Sequence, residues 1–444
     1  MTWTAVDIAR AVRDRELDPV EVTERALARI RAADGLVQAF RRVRATEALA
    51  EAAALRAHPD LTRLPLAGVP VAVKDVVEVE GEYAEWGSQA SSRVPAAADD
   101  HIVRRLRAAG AVIVGITRVP ELCLWPMSDS PGGVARNPWE PAYAAGGSSG
   151  GSGAAVAAGL VPLAHGTDGL GSVRLPAAMC GLVGIKPGAG VVAEPHDGGW
   201  FGMATHGALA TTVADAALLL GVLAERPDLI ELADPAPVRV ATSTRVPLTR
   251  APVPRPLRAT VVRTGELLSG AGHRVVSAQP YYPAAAVGGL FTRWVAGPAE
   301  QAADLDTALL QRRSRTHVRA GALVRRAGLV RPGTAREWRL RAEEFFAEHD
   351  VLVTPTLATL PPRALRWHER SWTGNAVPSM RLAGFTGLWN LAGYPALSVP
   401  AGSHPNGVPL GVQFVAAPGR EPLLLGIAAQ LEHLNPWPRT TADT

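Results

Sequence analysis

The chain has 444 residues, 47% of them hydrophobic, with 45 basic and 41 acidic side chains for a formal charge of +4. That length supports a large buried core, and the small charge, with no basic run interleaved with aromatics, argues against nucleic acid as a partner. Two cysteines, Cys123 and Cys180, could make one bridge at most and fit a reduced intracellular protein better than a disulfide framework.

The N-terminal stretch MTWTAVDIARAVRDREL lacks the apolar core of a signal peptide, and Arg10, Asp14 and Glu16 interrupt any membrane-length run. The spacing of Val6, Ile8, Ala9 and Val12 predicts an amphipathic helix, so the protein reads as soluble and cytoplasmic, with no membrane partner. Residues 1–60 read as helical, with Ala-rich stretches at 24–34 and 45–57 broken by Gly35 and then by His58-Pro59. The Val-rich run 66–79 predicts a buried strand carrying Lys74. An amphipathic helix over 100–110, closed by Gly110, leads into a strand at 111–116, and this helix-to-strand order points to an α/β fold with a covered sheet.

Residues 127–153 form a long Gly/Ser/Pro-rich tract, and loops this long inside a compact domain tend to be functional. Residues 154–188 read as a small-residue helix, a short strand, a Gly-rich turn and the strand GLVGI; 207–224 reads as a helix. The stretch 225–345 is rich in Arg, Ala and Pro, carries no motif and predicts surface helices. A strand end follows at 349–356, then two strands, 391–402 and 410–417, joined by a turn at Pro405-Asn406-Gly407. Without an internal repeat or a linker of disordered composition, the whole of 1–444 reads as one domain.

Only Lys74 and Lys186 among the 45 basic residues are lysines. Arginine keeps its proton in proteins, whereas a buried lysine can lose its own near neutral pH, so both positions invite the question of what arginine could not do there. For either lysine alone, an accident of codon usage accounts for the residue equally well.

Gly146-Gly147-Ser148-Ser149-Gly150 matches the G-x-S-x-G elbow, but that motif needs a strand running into the turn, and NPWEPAYAA before it does not read as one. Standing alone, such a tract is a flexible loop. A second glycine-flanked serine, Ser172, follows in HGTDGLGSVRLP, where the small residues let the backbone aim several N–H groups into one concavity. Two hydroxyls and one desolvated lysine can form a proton relay, since a serine needs a neighbouring base to become a nucleophile. Spacing alone does not bring them together.

These segments carry a resemblance. GVPVAVKD (68–75), GGSSGGS (146–152), GTDxxGSxRxPAAxCGLVGIKP (166–187) and PALSVPAG with GVQF (395–414) occur in the order and approximate spacing of the amidase signature family, as do RNPW (136–139) and HDVLVTPT. The resemblance covers nearly the whole chain. It implies a mixed central β-sheet covered by helices on both faces: an N-terminal helical part (1–60), a signature core (66–224), a variable helical part (225–345) and a C-terminal part of the core (349–435). It also implies hydrolysis of a small-molecule carboxamide through an acyl-enzyme, without cofactor or metal. Carried over by position, Ser172 is the nucleophile, Ser148, behind a cis peptide bond, the relay, and Lys74 the base. The backbone N–H groups of Gly169, Leu170, Gly171 and Ser172 form the oxyanion hole.

Three positions depart from the family pattern. Leu170 stands where the first of two glycines is usual, Gly169 replaces a Thr or Ile, and Val76 an Asn or Thr. Leucine tolerates positive φ poorly, so either Leu170 has negative φ or the loop is reshaped. The expectation is that Gly169 compensates, and that the leucine side chain narrows the pocket.

In the family the ELCLWP segment lines the substrate pocket, which makes Cys123 and Trp125 candidates for that wall. Cys123 reads as a buried, inert thiol, and Trp125 fits core and wall equally. Asp168 and Arg174 read as an ion pair bracing the nucleophile loop, and Lys186 as structural. The eleven histidines show no metal-binding spacing. The same triad would serve an esterase or acyl transferase, and Leu170 keeps open an impaired or partner-dependent subunit of the amidotransferase type. Loops within 125–135, 196–206 and 225–380 would set the acyl group and the leaving amine; oligomeric state, a homodimer included, is left open.

Overall fold

The computed structural model describes residues 3–193, 199–247, 249 and 251–441. Residues 196–198 of the 196–206 loop therefore lie outside the described residues. The strands are β1 (Phe40–Val43), β2 (Pro70–Lys74), β3 (Val112–Thr117), β4 (Asp129–Ser130), β5 (Gly133–Val134), β6 (Leu163–Asp168), β7 (Val183–Lys186), β8 (Thr205–Ala210), β9 (Arg239–Thr242), β10 (Arg274–Ser277), β11 (Val351–Pro355), β12 (Ala396–Ser403) and β13 (Pro409–Ala416). Among the described residues, eleven of them form one mixed sheet in the order β1-β3-β2-β6-β8-β7-β12-β13-β11-β9-β10, while β4 and β5 pair separately. Helices cover both faces.

The centre of the sheet follows from the apolar runs. β2 and β3 are buried at every residue, as continuous Val/Ile segments must be when helices lie on both sides. β2 runs parallel to β3 and to β6, with Val71 opposite both Ile113 and Leu163. The C-terminal ends of β2 and β6 therefore lie side by side, presenting Lys74 next to Thr167 and Asp168. In α/β sheets, ligands bind outside the carboxyl ends of parallel strands.

Several local expectations give way to packing. The helix Pro19–Val37 runs through Gly35 and ends at Gln38, whose φ is +51°. Gly35 lies in open space, where glycine costs a helix only about 1 kcal/mol relative to alanine. The helical reading of 1–60 also misses β1, an edge strand antiparallel to β3. Residues 205–210 form β8, and the helix starts only at Val213, where the Thr212 side chain accepts the Asp215 N–H. RLPAAMC is a short buried helix, Arg174–Cys180. The motif-free stretch 225–345 supplies helices Arg255–Gly270, Ala284–Gln301, Arg312–Arg326 and, starting within it, Pro332–Glu348, and it also extends the sheet by β9 and β10. No helix among the described residues is long and apolar enough to cross a membrane.

Candidate active site

Lys74 is the last residue of β2 and its side chain is buried. Its Nζ lies 2.7 Å from Ser148 Oγ, 2.6 Å from Thr167 Oγ1 and 3.3 Å from the Thr167 carbonyl oxygen. Burial pushes the Lys74 pKa below its ordinary value, against the opposing pull of Cys123 and Asp168. An unprotonated amine has two N–H bonds and one lone pair. Were its two N–H bonds directed to the two Thr167 oxygens, such an amine would turn its lone pair to the Ser148 hydroxyl.

Ser148 is held from several sides. The Gly147–Ser148 peptide bond is cis. The Ser148 carbonyl accepts the Ser128 hydroxyl at 3.0 Å, and Ser128 Oγ in turn accepts the Gly150 N–H at 2.9 Å. Gly147 has to be glycine: a Cβ there would sit 2.8 Å from the Trp125 carbonyl oxygen and from the Pro126 carbonyl carbon. The next residue, Ser149, donates its N–H to the Ser172 carbonyl at 3.2 Å and its hydroxyl to the Thr167 carbonyl at 3.2 Å, which ties the two serine loops together. Ser148 and Ser172 line the same cavity, and Ser172 is partly exposed to it.

The loop from Gly169 to Ser172 is braced by a buried ion pair. Arg174 Nε donates to Asp168 Oδ2 and Nη2 to Oδ1, both at 2.9 Å, and neither side chain is exposed. Arg174 also reaches the Thr386 carbonyl, Gln413 and Asn390. Burial works against ionisation of Asp168, yet the Arg174 guanidinium outweighs it and holds the carboxyl far below the usual range. The bracing expected for this pair is therefore what the geometry provides.

Asp168 also engages one of the amides expected in the oxyanion hole. Its Oδ1 accepts the Gly171 N–H at 2.6 Å, so that amide is already committed to a carboxylate. The amides of Gly169, Leu170 and Ser172 make no hydrogen bond among the described residues. The positive φ of the loop falls on Gly171, at +121°, where a Cβ would meet Thr386 Oγ1 at 2.5 Å. Leu170 is not among the positive-φ residues, so the leucine is accommodated without a left-handed backbone. Nor does Gly169 compensate for it in conformation, since its φ is not positive either. The space over Gly169 is taken by the Trp200 indole, 3.5 Å from where a Cβ would stand.

Cys123 and Trp125 both line the cavity. Burial pushes the Cys123 thiol up, while Lys74 and Ser148 beside it pull it down. Both cysteines are free. Trp125 is at once wall and core: it is buried, its Nε1–H reaches Ser314 Oγ at 3.5 Å, and the Arg313 guanidinium lies 5.4 Å from its ring centre. Arg313 is itself buried in an ion pair with Asp129 at 2.9 Å. Lys186 lies apart, its Nζ donating to the Pro187 carbonyl at 2.6 Å.

Sequence reasoning passed over Thr167, Ser128 and His165. Thr167 stood inside the quoted GTD segment, where its spacing to Lys74 carried no signal. His165 Nδ1 accepts the Lys74 backbone N–H at 3.4 Å, and its Nε2 lies 2.7 Å from His206 Nδ1. Burial drives its pKa well below the ordinary value, so it is a neutral support for the end of β2. Among the described residues, no group of three or more His, Cys, Asp or Glu side chains converges as a metal site would.

Comparison with known proteins decides the family. The family model described as Amidase matches residues 21–425. The chain belongs to the amidase family. This amidase is 40% identical to the AmiB2 protein of Mycobacterium tuberculosis over 97% of its own length and 95% of the relative's. It is 32% identical to an acylamidase of Rhodococcus erythropolis, covering 98% of this chain and 96% of that one. Among solved structures, a 6-aminohexanoate cyclic dimer hydrolase complexed with substrate superposes with a TM-score of 0.88 at 30% identity, covering 100% of this chain and 99% of the other. This amidase is accordingly a hydrolase of amide bonds, built on the mixed sheet that its relatives share.

Proposed function

We propose that the chain cleaves carboxamides through an acyl-enzyme on Ser172, with Ser148 as relay and Lys74 as base. The observation that carries this reading is the environment of Lys74 Nζ: fully buried, 2.7 Å from Ser148 Oγ, with Thr167 accepting its N–H bonds. The neutral amine accepts the Ser148 proton as Ser148 accepts that of Ser172. Ser172 Oγ then attacks the amide carbon, and the negative oxygen that develops faces the amides of Gly169, Leu170 and Ser172. Collapse of this adduct breaks the C–N bond, and the proton returns through Ser148 to the departing nitrogen. Water attacks the ester by the same relay and releases the carboxylic acid.

The test uses the purified chain alone. A fluorophosphonate probe is expected to label Ser172, and Ser172→Ala to abolish both labelling and release of amine from a neutral amide. Peptide mapping that placed the adduct on Ser148 or Cys123 would overturn the assignment of the nucleophile. Amine release that required a second protein would favour a partner-dependent subunit instead.

A further inference from the structure

The cavity that opens from Ser148 and Ser172 has a volume of about 960 Å³, at the upper end of what drug-sized ligands fill. A short amide would leave most of it to water. Its walls include Trp125, Trp200, Trp294, Leu170, Leu290 and Phe291. The chain carries 45 basic residues, yet among the described residues lining this cavity none is arginine or lysine, while Asp100 and Glu300 are acids and His101 and His206 the only other ionisable rings. A carboxylate placed here would lose its water and meet no arginine or lysine among the described lining residues, which leave the cost of burying it uncompensated.

The wall also has sides. Val76, Val77 and Cys123 stand next to Lys74 and Ser148, the groups that deliver a proton to the departing nitrogen. Leu170 belongs to the Gly169–Ser172 loop and Trp200 lies over Gly169, which on the acyl-enzyme reading is the side of the substrate carbonyl. Glycines hold both of these side chains in place. The Trp200 ring lies over Gly169 and in a notch at Gly297, where a Cβ would come within 2.9 Å of its Cγ, and its Nε1–H donates to Gln301 Oε1 at 3.2 Å. Leu170 Cδ2 fills a similar notch at Gly387, 2.8 Å from where a Cβ would stand, and Leu290 closes on the same spot.

Resting on the acyl-enzyme reading above, we infer that the substrates are neutral amides with a bulky apolar, preferably aromatic, acyl group, and that Trp200 and Leu170 determine this preference. The Gly169 departure from the family pattern then has a steric purpose: a branched side chain at 169 would extend beyond its Cβ into the indole. Trp200 and Gly169 form one device that places an aromatic wall beside the scissile carbonyl.

Two series of 4-nitroanilides and phenylacetamides separate the sides. With 4-nitroaniline as the constant leaving group, kcat/KM is expected to rise about 10–100-fold from acetyl to naphthylacetyl, and to fall at least about tenfold from butyryl to succinyl. Trp200→Ala should reduce the naphthylacetyl-to-acetyl preference about 10–100-fold, while the ranking of different amines on a constant phenylacetyl group keeps its order. Leu170→Gly should shift the acyl ranking toward still bulkier groups, and serves as the second variant should Trp200→Ala fail to fold. A flat acyl series, or variants that lower every substrate equally, would overturn the inference. Fluorophosphonate labelling of Ser172 in the same variants keeps the two readings apart. Labelling with a flat acyl series removes only the substrate class, whereas absence of labelling in the wild type removes the nucleophile itself.

Discussion

Lys74 ends β2 and Lys186 ends β7, and both side chains are buried. Burial lowers the pKa of each; for Lys186, with Arg174 adding to it against Asp168 and Glu421, the value falls to about 7. Their partners differ. Lys186 Nζ meets a backbone carbonyl, which can only accept, so the amine can do no more there than donate. Lys74 Nζ meets a hydroxyl that can both give and take a proton, and that hydroxyl opens onto a cavity. Desolvation prepares a lysine to act as a base, but only a transferable proton at its lone pair makes the base usable.

The comparison can be broken by substitution. The largest effect is expected from Lys74→Arg, which should lower kcat by about 10²–10⁴-fold because guanidinium retains its charge and cannot take the Ser148 proton. Lys186→Arg should leave kcat/KM within about threefold and appear instead in thermal melting. Equal losses of turnover from the two would show that both positions act through packing alone.

Asp168 raises the pKa of both lysines, so Asp168→Asn sharpens the comparison. Leaving Arg174 buried without its partner should cost about 3–5 kcal/mol in denaturant unfolding at neutral pH. The folded carboxyl titrates below its unfolded value, so this stabilisation is complete above the unfolded pKa and is lost as pH falls through the folded one. In the surviving folded fraction, the acidic limb of kcat/KM should move to lower pH, because Lys74 loses a carboxylate that favours its protonated form. A limb that did not move would separate it from Lys74.

A smaller loss than that of Lys74→Arg is expected at Thr167. Thr167→Val removes the hydroxyl 2.6 Å from Lys74 Nζ and should lower kcat about tenfold, in line with one buried hydrogen bond to the amine. Unchanged turnover would mean that the Thr167 carbonyl alone orients the lysine.

How much was legible beforehand varies along the chain. The apolar runs of β2, β3, β12 and β13 announced themselves because strands buried on both faces are apolar throughout. β8 did not, since its Gly-Ala composition fits a helix as readily and only its pairing with β6 and β7 makes it a strand. β9 and β10 were hidden because each is only four residues long and lies within an Arg-rich stretch that read as surface helix. At the site, the three residues assigned to the relay stood in recognisable motifs, and the structure brings Lys74 and Ser148 into contact and sets Ser148 and Ser172 in one cavity. The oxyanion loop could not be read in the same way. Which amide is free depends on where the Asp168 carboxylate points, and the sequence has no term for that.

By itself, the sequence determined the chemistry that could occur: a lysine where the chain otherwise uses arginine, two glycine-flanked serines, and the family to which such motifs belong. These are properties of residue type and local spacing, which the chain carries whether folded or not. The tertiary structure decided which hydroxyl the lysine meets, that Gly171 gives its amide to Asp168, and that Gly169, Gly297 and Gly387 leave room for Trp200 and Leu170. Those outcomes rest on contacts between segments far apart in sequence. Trp200 meets Gly297, and Leu170 meets Gly387, only after the parallel strands have set their loops at one end of the sheet and the helices have closed over them.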